Sequence, residues 1–125
     1  MKKTIKQFVA AAALVILCGT VNAQYKMDSD GKTLRNSSNS SVGFIDSDGR
    51  TIRNSSNSTV GQVDSDGKTI RNSSNSTVLV IDGNSIRNSG NSTIASMSDV
   101  TNSIQGAKAE AKYVALWWFL VKGNH

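Results

Sequence analysis

The feature that most constrains this 125-residue chain is a repeat with a period of 18 residues. The motif D-S-D-G-K/R-T-L/I-R-N-S-S-N-S-S/T-V begins at Asp28, Asp46 and Asp64, and a copy shortened by two residues begins at Asp82. Fixed periods near 20 residues mark architectures in which a single unit cannot bury its own apolar face. The sequence therefore predicts one domain built from similar units that pack against each other.

Each unit contains two short runs that favour β-structure, such as residues 68–71 and 77–81. Both are rich in β-branched residues and are bounded by turn formers. The Asp-Gly boundary is a strong hairpin signal, because glycine adopts the positive φ of a tight turn. The second boundary, Asn-Ser-Ser-Asn, ends on a residue type that tolerates the left-handed conformation. We expect that conformation at Asn39, Asn57, Asn75 and Asn91.

Apolar residues three apart recur in the second run of every unit. A regular strand would place them on opposite faces of the sheet, so either both faces are covered or a β-bulge re-aims one side chain. In each pair of apolar residues, the first one is followed directly by Gly43, Gly61, Leu79 or Ala95. Glycine within a strand often marks a bulge or a close approach of another segment. The pairs are Val42/Ile45, Val60/Val63, Val78/Ile81 and Ile94/Met97.

The repeat decays after Met97, and residues 107–125 have a different composition. Alanine, lysine and glutamate favour a helix there, and the run at 114–121 is apolar on every side. Such a segment must be buried in the repeat domain or meet a partner. We expect it to pack on or through the repeats as a core plug. In the alternative, Trp117, Trp118 and Phe119 form an interaction site.

Residues 1–23 have the pattern of a secretory signal peptide, with a basic start, an apolar core and small residues before Gln24. A lipid anchor at Cys18 is disfavoured because the bulky Leu17 precedes it. Cleavage removes three of 14 basic residues and none of nine acidic residues, so the formal net charge falls from +5 to +2. We therefore expect a periplasmic or extracellular protein with no transmembrane span in the mature chain, no disulfide and no nucleic-acid partner.

The unit K-T-I-R-N-S-S-N-S-T-V-L-V-I-D (residues 68–82) and the closing K-Y-V-A-L-W-W-F-L (residues 112–120) resemble the secreted bacterial family called five-fold β-flower proteins. The resemblance implies an all-β closed ring of about five two-stranded units with the C-terminal apolar segment, expected to be helical, packed on or through it. Residues 24–106 would hold four clear units and a degenerate fifth one. The resemblance implies no activity, and Leu79 and Ala95 in place of glycine argue against strict five-fold symmetry.

The paired aspartates of the repeat resemble the opening of a calcium loop. Such a loop needs more oxygen ligands and typically a glutamate at its twelfth position. The twelfth residues here are Asn39, Asn57 and Asn75, so turn formation is the favoured explanation and a metal site the alternative. The candidate metal ligands are Asp28, Asp30, Asp46, Asp48, Asp64 and Asp66.

One arginine occupies the same position in every unit. If the units circle an axis, these arginines form a basic ring that binds an anionic ligand through charge-assisted hydrogen bonds. The plainer alternative pairs each arginine with an aspartate of a neighbouring unit. The four candidates are Arg35, Arg53, Arg71 and Arg87.

Catalytic chemistry has little support in the composition. The one histidine is His125 at the end of the chain, Glu110 is the one glutamate, and the mature chain has no cysteine nucleophile. We therefore predict a non-enzymatic structural or binding module without a cofactor, whose candidate partners are a glycan or a cell-envelope protein. The alternatives are a self-assembling β-solenoid or amyloid-like fibre subunit and a calcium-dependent carbohydrate-binding module.

Overall fold

The computed structural model describes residues 24–124. The predicted signal peptide with Cys18, and the terminal His125, lie outside these residues. Within the described range the chain forms ten short strands, two α-helices and a π-helical segment at Trp117–Val121. The helices are α1 (Met97–Ser103) and α2 (Ala111–Leu116). The strands are β1 (Tyr25–Met27), β2 (Thr33–Asn36), β3 (Ser41–Ile45), β4 (Thr51–Asn54), β5 (Thr59–Val63), β6 (Thr69–Asn72), β7 (Thr77–Asp82), β8 (Ser85–Asn88), β9 (Thr93–Ser96) and β10 (Ile104–Gln105).

All ten strands belong to one sheet, in which β1 to β9 pair antiparallel in chain order. The last strand, β10, pairs in parallel with β1. The predicted ring closure is not confirmed, because β9 and β10 are the two edges of an open sheet and α1 connects them. The degenerate segment after Met97 thus forms a helix and a two-residue strand, and the N-terminal β1 completes the pairing with that strand.

The predicted hairpin turns are confirmed at both ends of the strands. Each Asp-Gly glycine has a positive φ, as at Gly31, where φ is 71°. The amide of Gly31 donates to the carbonyl of Asp28 at 2.9 Å, which closes the first of these turns. The four asparagines at the opposite end are also left-handed, with φ of 64° at Asn39, 67° at Asn57, 67° at Asn75 and 66° at Asn91.

A β-bulge explains why apolar residues three apart share one face. In β5, Gly61 pairs with Ile52 and Thr59 with Arg53, which leaves Val60 as the extra residue. Because a bulge inserts one residue, Val60 and Val63 can both face the core, and both are buried. The same register shift occurs in β3, β7 and β9, at Val42, Val78 and Ile94.

The core lies between the inner face of the sheet and the C-terminal segment. The first strand of each repeat unit has one fully buried residue on that face. These residues are Leu34, Ile52, Ile70 and Ile86. Helix α2 contacts β3 to β6 and α1. The predicted helical C-terminal segment is therefore confirmed, and it covers the middle of the sheet.

The repeat glycines receive the C-terminal segment. A Cβ atom built on Gly61 would collide with the ring of Phe119, and one built on Gly43 would collide with Leu120. The missing side chains let these two residues approach the backbone of β5 and β3. The corresponding position in β7 is occupied by the fully buried Leu79, so the inner face of the sheet is filled by different residues in different units.

Candidate functional site

The second aspartate of each Asp-Ser-Asp-Gly motif is bonded to its own turn. One carboxylate oxygen of Asp66 accepts hydrogen bonds from the amides of Lys68 at 2.8 Å and Thr69 at 2.9 Å. The other accepts from the hydroxyl of Thr69 at 2.7 Å. These bonds favour the charged carboxylate and lower the pKa of Asp66 to about 2. Asp30 and Asp48 make the same bonds, and each also has a pKa of about 2.

The first aspartate of each motif holds the repeat arginine. Asp64 and Arg71 form an ion pair at 3.2 Å, and the amide of Ser65 donates to Asp64 at 2.9 Å. The amide of Ser47 and the guanidinium of Arg53 both donate hydrogen bonds to the carboxylate of Asp46. These bonds lower the pKa of Asp46. The other pairs are Arg35–Asp28 at 3.1 Å, Arg53–Asp46 at 3.0 Å and Arg87–Asp82 at 3.4 Å.

The four repeat arginines lie on alternate strands of the sheet, β2, β4, β6 and β8. Each lies next to a fully buried residue of its strand, so alternation directs it to the outer face of the sheet. Equivalent arginines are two strands apart, which corresponds to about 10 Å. The ion pair forms within one repeat, seven residues apart for Arg71 and Asp64, rather than between neighbouring repeats as the plainer sequence interpretation proposed.

Each arginine also supports the turn that follows it. The guanidinium of Arg71 donates to the carbonyl of Asn75 at 3.3 Å and to the hydroxyl of Thr77 at 3.1 Å. Arg35, Arg53 and Arg87 likewise donate to the carbonyl of the left-handed asparagine in their own units. One arginine therefore links both turns of its unit, which gives this series a structural role.

A second periodic series of basic residues was not singled out from the sequence. Lys32, Arg50 and Lys68 follow the Asp-Gly of their turns, are exposed, and have no ion-pair partner within residues 24–124. Arg50 and Lys68 border a cleft of about 540 Å³ between these turns and the start of α2. Glu110 also borders the cleft and lies 3.6 Å from Lys112, so both acidic and basic groups line it. The periodic cation after the Asp-Gly of the first three copies was a signal available in the sequence.

The three aromatic candidates of the C-terminal segment differ in exposure. Phe119 is fully buried, Trp117 is buried, and Trp118 is half-buried. The two indole rings are tilted by 43° with centroids 6.2 Å apart. Both line a groove of about 510 Å³ that also includes Ile94 of β9 and Asn102 of α1. The segment thus serves mainly as the core plug, and Trp118 presents part of its surface to this groove.

Two features are absent from the described part of the chain, a cluster of metal-binding side chains and a membrane-spanning helix. Between residues 24 and 124, no three His, Cys, Asp or Glu side chains are grouped closely enough to hold a metal ion. No helix in that same range is long and apolar enough to cross a membrane.

The open sheet of repeated hairpins, with polar side chains bonded inside each repeat, defines the chain as a β-repeat protein. The sequence model described as "5-fold beta-flower protein" matches residues 19–119. The chain therefore belongs to the 5-fold β-flower family, which confirms the resemblance in its repeats. This family has no known function and is not a known enzyme family. No curated protein and no solved structure matches the chain.

Proposed function

We propose that the chain is the precursor of a non-enzymatic structural or binding module that acts in the periplasm or outside the cell. The observation that carries this proposal is the use of the repeated polar residues. Asp64 and Asp66 are bonded within one turn, and Arg71 bridges that turn to the next. Residues engaged in this way stabilise a scaffold, and the surfaces that vary between units are then left for recognition.

Export is tested by expressing the full chain in a bacterial host and separating cytoplasm, periplasm and medium. The expected product has Gln24 at its N-terminus and is found in the periplasm or medium, as N-terminal sequencing and intact mass would report. Substitution of the small residue Ala23 by a large one should block processing. A chain that stays unprocessed in the cytoplasm would contradict the proposal.

A self-assembling subunit is the second candidate, because the two edges of the open sheet favour it. Strands β9 and β10 each have a strand neighbour on one side, and unpaired strand edges are templates for pairing with another chain. Helix α1 connects the two edges, which limits access from that side. Analytical ultracentrifugation and an amyloid-binding dye separate the candidates: the module predicts a soluble species without dye response, and concentration-dependent fibres would favour assembly.

Calcium-dependent carbohydrate binding has less support, because the carboxylates that would bind the metal already accept hydrogen bonds. Both oxygens of Asp30 are occupied, one by the amides of Lys32 and Thr33 and the other by the hydroxyl of Thr33. A thermal melt of the protein with and without calcium is the direct test. The proposal expects no change in melting temperature, and a clear rise with calcium would restore this alternative.

A further inference from the structure

The groove at the β9 edge differs from the rest of the repeat surface. It has a volume of about 510 Å³ and lies between β9, α1 and the π-helical segment. Ile94 is 40% exposed and is the one large hydrophobic residue in the described part of the chain that is exposed to this degree. The half-buried Trp118 forms an aromatic wall beside it, next to Trp117. The groove volume is within the range of small-ligand pockets.

The exposure of Ile94 follows from its place in the repeat. It is the bulge residue of β9, equivalent to Val42 in β3, Val60 in β5 and Val78 in β7. Those three residues are buried or partly buried, and a further β-strand follows each of their strands in the sheet. Strand β9 is the edge and is followed by α1, so apolar surface stays open there.

Polar groups surround this apolar surface. The side chain of Asn102 is exposed and makes no hydrogen bond to other residues between 24 and 124. One carboxylate oxygen of Asp99 accepts from the amide of Ser96 at 2.9 Å, and the other has no donor in that range. The ammonium of Lys122 lies 5.5 Å from the centre of the Trp117 ring. The groove thus offers donors and acceptors beside an aromatic surface.

We infer that this groove binds a pyranose ring of a neutral glycan chain. A pyranose has a face of C–H groups with a positive polarisation, which packs on the negative π-face of an indole such as Trp118. Its hydroxyls project from the rim, where Asn102 and Asp99 can bond them. Asp99 and Lys122 carry opposite charges, so the groove has no excess charge that would favour an ionic glycan.

The backbone beneath the aromatic wall supports this assignment. The amide of Lys122 donates to the carbonyl of Trp117 at 2.8 Å, a bond across five residues that defines the π-helical turn. π-Helical turns are rare and are frequently found at functional sites. This turn sets the position of Trp118 beside Ile94, whereas Trp117 and Phe119 are buried.

The test uses protein purified from cells that express the full chain. Trp117 and Trp118 are the only tryptophans of the chain and both line the groove, so intrinsic fluorescence reports on it directly. The neutral probes are cellohexaose, maltohexaose and chitohexaose, and an oligogalacturonate is the anionic comparison. We expect a saturable fluorescence change with at least one neutral probe, with a dissociation constant of about 1 mM or lower.

Substitutions then assign the binding to the groove. Ile94→Ser and Asn102→Ala alter exposed positions, and each should weaken binding by about fivefold, the equivalent of one modest contact. Trp118→Ala should abolish binding while Trp117 remains as the reporter. The matched controls are Val42→Ser at the equivalent bulge position and Asn84→Ala at an exposed asparagine outside the groove, and both should leave the affinity unchanged.

Three results would overturn the inference: no response of the folded protein to any neutral probe, a response that Ile94→Ser and Asn102→Ala leave intact, or a response to oligogalacturonate alone. If Trp118→Ala does not fold, the two exposed substitutions still decide the matter. The inference rests on the proposed binding module, but the experiment distinguishes a failure of the groove assignment from a failure of the module proposal. An exported, non-assembling protein without a glycan response contradicts the groove assignment and leaves the module proposal in place.

Discussion

At the scale of single residues, the acidic side chains of the repeat make stability depend on pH. Asp30, Asp48 and Asp66 each have a pKa of about 2, lowered from 3.8 by hydrogen bonds to backbone amides and a threonine hydroxyl. A group whose pKa is lower in the folded state stabilises the fold above its unfolded pKa, and this contribution disappears as pH falls through the folded pKa. The window is therefore from pH 3.8 down to about 2.

We predict that the melting temperature falls steeply across this window and is nearly flat just above it. Carboxyl-carbon NMR titration should place these three aspartates well below the ordinary range. Asp66→Asn should lower stability above pH 4, and the difference from the native chain should shrink as pH approaches 2, because both then lack the charge. A variant deficit that is the same at every pH would contradict this explanation.

Gly61 provides a second residue-scale prediction, because the ring of Phe119 occupies the space of the missing side chain. A Cβ atom there would also lie 2.7 Å from the carbonyl oxygen of Arg71. Gly61→Ala should therefore destabilise the protein by about 1–3 kcal/mol, the usual cost of overpacking. The matched control is Gly90→Ala, where the nearest atom is 3.4 Å away and φ is not positive. Urea unfolding compares the two, and similar losses in both variants would argue against close packing at Gly61.

At the scale of the hairpin, two asparagines three residues apart fix the second turn of each unit. The first accepts hydrogen bonds from backbone amides through its side chain, and the second is left-handed. Asn72 accepts hydrogen bonds from the amides of Ser74 and Ser76, each at 3.0 Å, and Asn75 has a φ of 67°. A left-handed residue with a Cβ is strained by about 1–2 kcal/mol, and asparagine tolerates that conformation better than most residues. The side-chain oxygen of Asn75 accepts a hydrogen bond from the side chain of Gln62 at 3.2 Å, so this asparagine also contacts the neighbouring strand. The sequence signal and the observed geometry agree at this turn.

The equivalent Asn57 also has a φ of 67° and allows a cleaner test, because no bond from another strand is lost with its side chain. Asn57→Ala should lower the free energy of unfolding by about 1 kcal/mol, whereas Asn57→Gly should be close to neutral because glycine adopts this conformation freely. Ser56→Ala in the same turn is the control and should have little effect, since its side chain is exposed. Denaturant melts measure all three. If alanine and glycine cost the same, backbone strain is not what selects asparagine here.

Strands and turns could be predicted because their signals are local and repeated. The positive φ of Asn39 and Asn91, and the bulge that places Val60 and Val63 on one face, follow from residue type and spacing. The partner of Arg71 could not be predicted, because the periodic sequence places equivalent aspartates, Asp64 and Asp82, on either side of it. The register that favours Asp64 becomes visible only in the folded turn.

The structure at the β9 edge of the sheet was the part of the fold that the sequence predicted least well. Residues 97–105 lack the repeat motif, so nothing local indicated a helix followed by a strand parallel to β1. The groove at Ile94 and Asn102 depends on that arrangement and was missed for the same reason. A usable signal existed in Ile94 itself, a bulge residue in the last recognisable repeat, where no further repeat follows to cover it.

At the scale of the whole molecule, the C-terminal segment supplies much of the core for strands that are otherwise short. Tyr113, Val114, Leu116, Trp117 and Phe119 are all buried against the sheet. Without them the inner apolar face of β2 to β8 would be open to water, and a large exposed apolar surface favours association or a loss of fixed packing. Folding of the repeats and docking of this segment should therefore be one cooperative event.

Truncation tests this cooperativity. A chain that ends at Gly106 should show no sigmoidal thermal transition and should bind a hydrophobic dye. A chain that ends at Lys122 should melt like the native protein, because Gly123 and Asn124 are exposed. Phe119→Ala gives the graded version, with an expected loss of about 3–5 kcal/mol. Circular dichroism melts and dye fluorescence follow all three. A Gly106 truncation that melts cooperatively would mean that the repeats form a stable sheet alone, and that the aromatic segment is available for a partner.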